Sequence, residues 1–471
     1  MLVIIPVEMY AREIEKNVSL ASYISSALSV PVLIAHQSLA RAVALRLGCN
    51  SIFIGKHYFV SKRFEIINSK PLKKLLRNGV NIIHIDEENP AAPINNLTPS
   101  DQHIAIMRAR YPFYDIESSY SDQIKILHWG DIQNHFLSDL PSYFYQRVAG
   151  CPFLDASKVF RNFRRSSNPS SVSFTQSGVI LSSPNIKTNK PSALSDYLLF
   201  RCDLDFDHAL WHMQRELLLY HSVNTVLNNT SLDLCFRPHP ESRGIYSKAF
   251  ISGFLSHDNP HRSVKISFPS SEPALHYLSS SSVSVHTGCT TSIAARFLDL
   301  PTIRLEPSRS LPWGPFLHGE PSFNLPDSGF LSLLSSDFSL NKIYFTELAH
   351  AEYSNLDPSV LSSFEVILDC VSDFIGKSST VRGYGISASD ILTLVEKEVS
   401  PSSPIQIAKS VYSSGRIFLK SLLQHGEYFP KISTFDANHL RNSVANTQRF
   451  ISSESDLCVA SGDNFFFIYK E

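Results

Sequence analysis

The fold of this chain is decided by two stretches, Val283-Ser-Val-His-Thr-Gly-Cys-Thr-Thr-Ser-Ile293 and Leu234-Cys-Phe-Arg-Pro-His-Pro-Glu241. Each begins with a short apolar run, which is typical of a buried strand, and continues into polar residues. The first stretch then turns at a glycine and enters a segment that predicts a helix. A strand followed by a turn and a helix, repeated along a chain, is typical of an α/β protein with a parallel sheet.

The same stretches predict a site for an anionic phosphate. A helix start leaves backbone N–H groups without partners and carries a partial positive charge, which favours anions. Gly288 permits a sharp turn, and three side chains follow that either cap the helix or donate to phosphate oxygens: Thr290, Thr291 and Ser292. Arg237 and His239 would add donors and positive charge for a leaving phosphate. Together these residues point to an enzyme with an activated, phosphate-containing donor.

Composition narrows the class of protein. At 471 residues the chain predicts two or three domains, and 43% hydrophobic with 18% charged residues is ordinary for a globular protein. A net charge of −1 argues against a nucleic-acid partner. The seven cysteines form no C-x-x-C pair, which predicts neither a zinc site nor a disulfide framework and suits a cytoplasmic location.

Two basic clusters leave open a peripheral association with the inner face of a membrane, although such clusters are more often a solvated surface than a membrane contact. One consists of Lys70, Lys73, Lys74 and Arg77, and the other of Arg161, Arg164 and Arg165.

Alternating strand-like and helix-like segments divide the chain. Residues 1–165 predict one Rossmann-like domain, and the polar, Ser-rich residues 166–178 are interpreted as a linker. Residues 179–345 predict a second Rossmann-like domain. Residues 346–471 form an extension with helical stretches, whose role the sequence does not indicate. Ligands of such sheets bind beyond the carboxyl ends of the strands, where Arg237 and Gly288 both fall.

Six stretches of the chain are similar to one known family: Ile4–Glu13, Asn81–Asn89, His128–Asp131, Ala149–Asp155, Phe236–Pro240 and His286–Ile293. In these stretches the chain resembles the bacterial surface carbohydrate biosynthesis proteins, a glycosyltransferase-like family with two facing Rossmann-like domains, the GT-B arrangement. The resemblance implies an acceptor domain at the amino-terminal side and a donor-nucleotide domain after it.

A more distant similarity is to bacterial sialyltransferases, which use sugars activated with cytidine monophosphate (CMP). Their acidic motif resembles Glu87-Glu88-Asn89, although Gly is usual where Asn89 stands. Their His-Pro motif resembles His239-Pro240, and their Ser/Thr pair resembles Thr290-Thr291. The resemblance implies that Glu87 or Glu88 is the general base and that the other two motifs hold the CMP phosphate.

The predicted reaction is therefore inverting, metal-independent transfer of a sialic acid-like or other ulosonic acid to a surface glycan or lipid-linked acceptor. CMP-sugar is the donor substrate and no cofactor is predicted. Glu8 and Glu13 are competing bases after the first strand, and His128 is a candidate for the acceptor side. Two alternatives stay open: a polyol-phosphate or other nucleotide-sugar enzyme of the same fold, and a non-catalytic binding component of polysaccharide assembly.

Overall fold

A computed structural model of the chain describes residues 1–7, 10–56, 69–85, 111–166, 171–176, 206–238, 262, 264–267, 272–288, 290–307, 317–334, 344–345, 350, 353–379, 387–399, 437–450, 457–462 and 465–470. The strands in these residues are, in chain order, β1 (Leu2–Val7), β2 (Val32–His36), β3 (Ser51–Ile54), β4 (Asn81–Ile85), β5 (Ile124–His128), β6 (Tyr145–Val148), β7 (Ser171–Thr175), β8 (Asp233–Arg237), β9 (Lys265–Ile266), β10 (Ser281–His286), β11 (Thr302–Leu305), β12 (Leu317–His318), β13 (Ser322–Phe323), β14 (Tyr344–Phe345), β15 (Leu457–Gly462) and β16 (Phe465–Lys470). The α-helices are α1 (Tyr10–Leu28), α2 (Gln37–Leu47), α3 (Lys70–Arg77), α4 (Asp131–Phe136), α5 (Pro152–Ser166), α6 (Phe206–Asn229), α7 (Ala274–Ser279), α8 (Thr290–Phe297), α9 (Ser328–Leu334), α10 (Ser362–Ser379), α11 (Ala388–Val399) and α12 (Ala437–Phe450).

The chain divides into two compact units. The first consists of Met1–Phe160, Glu347–Ala408 and Ile432–Glu471, and the second of Arg161–Thr346 and Lys409–Lys431. The first boundary lies inside α5, close to the predicted domain end at residue 165. Most of the predicted extension, residues 346–471, therefore belongs to the first unit and is not a separate body.

The first unit is built on a sheet with the strand order β15-β16-β2-β1-β3-β4-β5-β6. Strands β1 to β6 pair with one another in parallel. Every residue of β1 and β3 is buried, as expected of continuous apolar runs in a parallel sheet covered on both faces. The chain leaves β1 and β3 in opposite directions across the sheet, which makes the carboxyl ends of these two strands the expected ligand-binding position.

An antiparallel hairpin completes this sheet. Strands β15 and β16 pair with each other, and β16 pairs antiparallel with β2. Three side chains of β16 have no exposed surface: Phe466, Phe467 and Ile468. The sequence did not predict this hairpin, which brings residues 465–470 into one sheet with β1 and β2.

The second unit is built on a parallel sheet with the order β13-β11-β10-β7-β8-β9. Strand β7 lies at its centre, within the predicted linker 166–178, so that interpretation is wrong for Ser171–Thr175. The segment reads as polar because serines alternate with Val172 and Phe174, both of which are fully buried. Ser173 is buried as well and satisfies its hydroxyl by donating to the Val283 carbonyl at 3.2 Å.

The predicted fold class is confirmed. It is α/β, with two Rossmann-like, doubly wound units and a helical C-terminal extension that here adds α10, α11 and α12 to the first unit. The sequence also predicts a strand at residues 179–182 and a helix at residues 405–423, but both segments lie outside the described residues.

A buried ion pair fastens the extension to α5 in the first unit. Asp155 has no exposed surface, and its Oδ1 accepts from Lys158 Nζ and from Asn355 Nδ2, both at 2.8 Å. Its Oδ2 accepts from the backbone N–H groups of Ser363 and Phe364 in the first turn of α10, at 2.8 and 3.3 Å. Asp155 is the acidic residue of a family-like segment, Ala149–Asp155, and its contacts here are structural.

Candidate functional site

The candidate site lies where the strand order of the second sheet reverses. The neighbouring strands β7 and β10 continue to opposite sides of the sheet, β7 towards β8 and β10 towards β11. Ligands of doubly wound sheets bind beyond the carboxyl ends of strands at such a point. Strand β10 ends at His286, so the polar segment that begins at Thr287 falls there, as the sequence predicts.

Gly288 gives this segment its turn. Its φ is +88°, a left-handed conformation that residues with a side chain rarely adopt. A Cβ built on Gly288 would meet no atom of the described residues within 4 Å. Helix α8 begins two residues later, at Thr290, so the N–H groups of its first turn follow this glycine closely along the chain. The arrangement can accept an anion.

Arg215 supplies a positive charge at this turn. It lies on α6, is 6% exposed, and its Nη2 donates to the Gly288 carbonyl at 3.2 Å and to Thr287 Oγ1 at 3.4 Å. The next residue, Glu216, accepts from Gln176 Nε2 at 2.6 Å, and Gln176 directly follows β7. Helix α6 is thereby joined to the carboxyl ends of both strands at the reversal point.

His286 is held on both sides of its ring. Its Nδ1 accepts the backbone N–H of Gly288 at 3.0 Å, and its Nε2 lies 2.6 Å from Glu320 Oε1. Both side chains are buried. The imidazole thus connects the turn to the segment that precedes β13.

Arg237 is placed at the same edge of the sheet, but its described contacts are structural. Its Nη1 donates to Ser267 Oγ at 3.1 Å and to the Glu272 carbonyl at 2.8 Å. The guanidinium also lies over the ring of Tyr277, 5.3 Å from the centroid. These contacts hold the end of β8 in place, and the phosphate-binding role of Arg237 stays a prediction.

Of the other predicted site residues, some lie in the described part of the chain and others do not. Thr291 and Ser292 lie in the first turn of α8, and Ser292 is 1% exposed. Thr290 begins that helix, although its side chain is not described. Outside the described residues lie His239, Glu87, Glu88 and Glu8, so their predicted roles stay predictions.

On the acceptor side, Glu13 and His128 have different surroundings. Glu13 lies in the first turn of α1, directly after β1, and is 1% exposed. His128 ends β5 with no exposed surface, its Nε2 lies 3.2 Å from Gln146 Oε1, and its ring stacks on Tyr111. His128 is thus a core side chain and offers no surface to an acceptor.

Burial lowers the pKa of two histidines of the first unit. Desolvation lowers the pKa of His128 from 6.5 to about 4, although its hydrogen bond to Gln146 acts in the opposite direction. Desolvation, with smaller contributions from His128 and Lys56, also lowers the pKa of His84 well below its usual value. His84 packs edge-on against Tyr111 and Phe113.

In the part of the chain that the structure describes, no group of three His, Cys, Asp or Glu side chains is arranged to hold a metal ion. Within the same residues, no helix is both long enough and apolar enough to cross a membrane.

Sequence reasoning missed Arg215, Glu216, Gln176 and Glu320. For the first two a signal exists, because residues four apart share a helix face. Arg215 and Glu216 stand four residues before Leu219 and Tyr220, which are both buried. Charged residues on the apolar face of a helix that follows a central strand indicate a site. Glu320 has no such signal, since its strand neighbours are only two residues long.

No protein-family model matches the chain, and no curated protein matches its sequence. Among solved structures it is similar to the UDP-GlcNAc 2-epimerase of Methanocaldococcus jannaschii in complex with UDP-GlcNAc and UDP. The identity is 11% over 79% of this chain and 100% of that one, with a TM-score of 0.40. It is also similar to S. aureus MnaA with UDP, at 11% identity over 80% and 96% of the two chains and a TM-score of 0.38. A third similar structure is that of the wall teichoic acid polymerase TagF. The identity is 10% over 80% of this chain and 90% of that one, with a TM-score of 0.40. Likenesses of this size do not identify a family or an activity.

Proposed function

We propose that the protein is a glycosyltransferase that uses a nucleotide-sugar donor and binds the donor phosphate at the turn Thr287–Gly288. One observation carries this proposal: a left-handed glycine with open space beside it, at the reversal point of a parallel sheet, contacted by a buried arginine and followed by a helix start. Backbone N–H groups and a guanidinium are the donors that a phosphate requires.

The chemistry of transfer fits these donors. When the bond between the sugar and the phosphate breaks, negative charge grows on the phosphate oxygens. Fixed donors aimed at that charge stabilise the transition state more than the ground state. Arg215 is held by Thr287 and Gly288 before any ligand binds, so little reorganisation is needed.

The finer proposal is a CMP-activated sialic acid-like or other ulosonic acid as donor, with inversion at the anomeric carbon. It is supported by the sialyltransferase-like motifs in the sequence. Glu87 or Glu88 removes the proton from the acceptor hydroxyl, and His239 binds the departing phosphate. The acceptor is a surface glycan or a lipid-linked glycan, and the basic face of α3 provides a peripheral contact with an anionic membrane.

Calorimetric titration with CMP, UMP, GMP and CDP tests the donor site. We expect CMP to bind best to the wild-type protein, and Arg215→Ala to weaken that binding about tenfold or more because a charged donor is lost. Arg296→Ala is the matched control. It removes the same charge from the last turn of α8, at the far end from the proposed site, and should leave affinity unchanged.

The outcomes separate the alternatives. A preference for a uridine or guanosine nucleotide would remove the CMP-sugar donor but keep a nucleotide-sugar enzyme, whereas no nucleotide binding would overturn the proposal. A further variant, Glu87→Gln, should keep CMP binding and lose sugar transfer. Tight CMP binding without any turnover of CMP-sugars would instead favour the non-catalytic component.

A further inference from the structure

We infer that Glu320 and His286 form a positioning pair that sets the turn Thr287–Gly288 for phosphate binding, without touching the donor. This inference rests on the proposed function of that turn. Its basis is the chain of hydrogen bonds from a buried carboxylate through an imidazole to the backbone of the left-handed glycine.

The hydrogen bonds fix which ring nitrogen of His286 carries the proton. Gly288 donates its backbone N–H to Nδ1, so Nδ1 is an acceptor and cannot be protonated. The ring proton is therefore on Nε2, where it is donated to Glu320 Oε1 at 2.6 Å. A carboxylate that accepts from one ring nitrogen fixes the tautomer and the orientation of the ring. The other nitrogen, Nδ1, is thereby kept in place to accept the Gly288 N–H.

Because both nitrogens are committed, His286 has no lone pair left with which to remove a proton from a substrate. Its ring is fully buried, and Glu320 is 8% exposed. Glu320 Oε1 is bonded to His286 Nε2, whereas Glu320 Oε2 has no hydrogen-bond partner among the described residues. These features favour positioning over catalysis.

The left-handed turn explains why such a pair is needed. The positive φ of Gly288 is unfavourable for most residues and is one of many conformations open to a glycine. The bond from its N–H to His286 and the bond from Arg215 to its carbonyl restrain both sides of this one residue. Loss of the imidazole acceptor would release the N–H side and let the turn sample other conformations before α8 begins.

The decisive experiment measures CMP affinity for wild type, Glu320→Ala, Glu320→Gln, His286→Ala and the double variant with both alanines. We expect each single alanine variant to bind CMP about ten- to hundredfold more weakly, because a buried hydrogen-bond partner is lost. Glu320→Gln should recover most of the affinity, since its amide oxygen accepts the same Nε2–H. The double variant should be no weaker than His286→Ala, because Glu320 acts through the ring. Asp233→Ala, at the exposed amino end of β8, is the control for loss of a carboxylate from this sheet.

Backbone hydrogen exchange of residues 287–292 without nucleotide gives a second measurement. We expect faster exchange in Glu320→Ala than in wild type, exchange near wild type in Glu320→Gln, and no change in Asp233→Ala. Unchanged exchange in Glu320→Ala, or losses in CMP affinity that multiply in the double variant, would overturn the positioning pair. If wild type binds no nucleotide, the proposed function fails, whereas the exchange rates still decide whether the pair sets the turn.

Discussion

Gly288 and Gly376 allow a paired test at the scale of a single residue. At either position a Cβ would meet no atom within 4 Å in the part of the chain that the structure describes, but of the two only Gly288 has a positive φ. We expect Gly288→Ala to lower the free energy of unfolding by about 1 kcal/mol, because a side chain disfavours the left-handed conformation. We expect Gly376→Ala, in helix α10, to raise it by about 0.5–1 kcal/mol.

Urea unfolding measures both free energies, and CMP titration measures the consequence for the site. Gly288→Ala should also weaken CMP binding, since relief of its strain moves the turn, whereas Gly376→Ala should bind like wild type. If the two substitutions change the free energy of unfolding equally, then the positive φ of residue 288 does not require a glycine.

His128 gives stability a dependence on pH. Its pKa is about 4 in the folded protein and 6.5 in the unfolded chain, so the unfolded chain binds the extra proton between these values. The stabilisation is complete above pH 6.5 and is lost as the pH falls towards 4, by about 3 kcal/mol in total. We expect urea unfolding at a series of pH values to show a shallower slope for His128→Gln than for wild type.

The control for this pH series is His221→Gln, because His221 is exposed on α6. Its slope should match that of wild type. If His128→Gln unfolds with the wild-type slope, then the acid sensitivity originates elsewhere and the buried imidazole does not contribute to it.

Residues near a strand end were predictable, whereas residues that reach the site from elsewhere were not. Gly288 and Thr291 follow β10 directly, and local sequence order is enough to place them. Arg215 reaches the turn from a helix more than seventy residues earlier in the chain, through bonds between residues 72 and 73 positions apart. Such a contact depends on the packing of α6 against the sheet, which periodicity alone does not specify.

At the scale of the element, two carboxylates stabilise helix starts in different surroundings. Asp155 is fully buried, pairs with Lys158 and accepts backbone N–H groups of α10. Asp390 is exposed and bonds Ser387 at the start of α11. We expect Asp155→Asn to cost about 3–5 kcal/mol, because it leaves the Lys158 charge buried and uncompensated. We expect Asp390→Asn to cost much less, because an exposed carboxylate leaves no buried charge behind when it is neutralised.

Thermal unfolding and urea unfolding of both variants check this difference. A second variant, Asp155→Asn with Lys158→Met, should recover part of the loss, since it removes the uncompensated charge together with its partner. Similar costs for Asp155→Asn and Asp390→Asn would mean that the buried ion pair adds nothing beyond a helix cap.

Helix α3 presents a basic face to solvent. Its leucines are buried, namely Leu72, Leu75 and Leu76, while Lys70, Lys74 and Arg77 are exposed. We expect the triple alanine variant of these three cations to bind about hundredfold more weakly to vesicles of phosphatidylcholine with about one-third phosphatidylglycerol. Co-sedimentation with these vesicles, at low and high salt, measures the loss.

A control for this helix removes three exposed cations elsewhere in the first unit: Arg441, Arg449 and Lys470. Its vesicle binding should stay close to that of wild type. Equal losses of vesicle affinity in the two triple variants would mean that the net charge of the protein, and not helix α3, causes the attraction. If the vesicle binding of the wild type does not change with salt concentration, then the contact is not electrostatic.

Elements with a strong local pattern were predictable from the sequence. The residues predict a strand at Thr302–Leu305 and a helix near Lys70–Arg77, and β11 and α3 have these bounds. Strand β7 was not, because serine side chains that bond to neighbouring backbone groups in the core look polar in the sequence. The hairpin β15–β16 was missed for a different reason. Its apolar residues predict burial. However, it pairs with β2, which lies more than 400 residues earlier in the chain, and a local pattern does not indicate so distant a partner.

At the scale of the whole molecule, the first unit is assembled from distant parts of the chain. Helix α10 is capped by Asp155 of α5, and β16 closes the sheet beside β2. The second unit keeps its whole parallel sheet within residues 161–346. The two units therefore differ in how much of their core depends on residues beyond 346, and damage to the hairpin should affect them unequally.

Phe467 tests this inequality. It is fully buried in β16 beside Leu33 of β2, in the core of the first unit. We expect Phe467→Ala to cost about 3–5 kcal/mol through the cavity it leaves. Hydrogen exchange should quicken in β1 and β2 of the first unit, while β7 and β8 of the second keep wild-type protection. Lys470→Ala, exposed on the same strand, should change neither. Loss of protection in both sheets together would show instead that the two units unfold as one cooperative body.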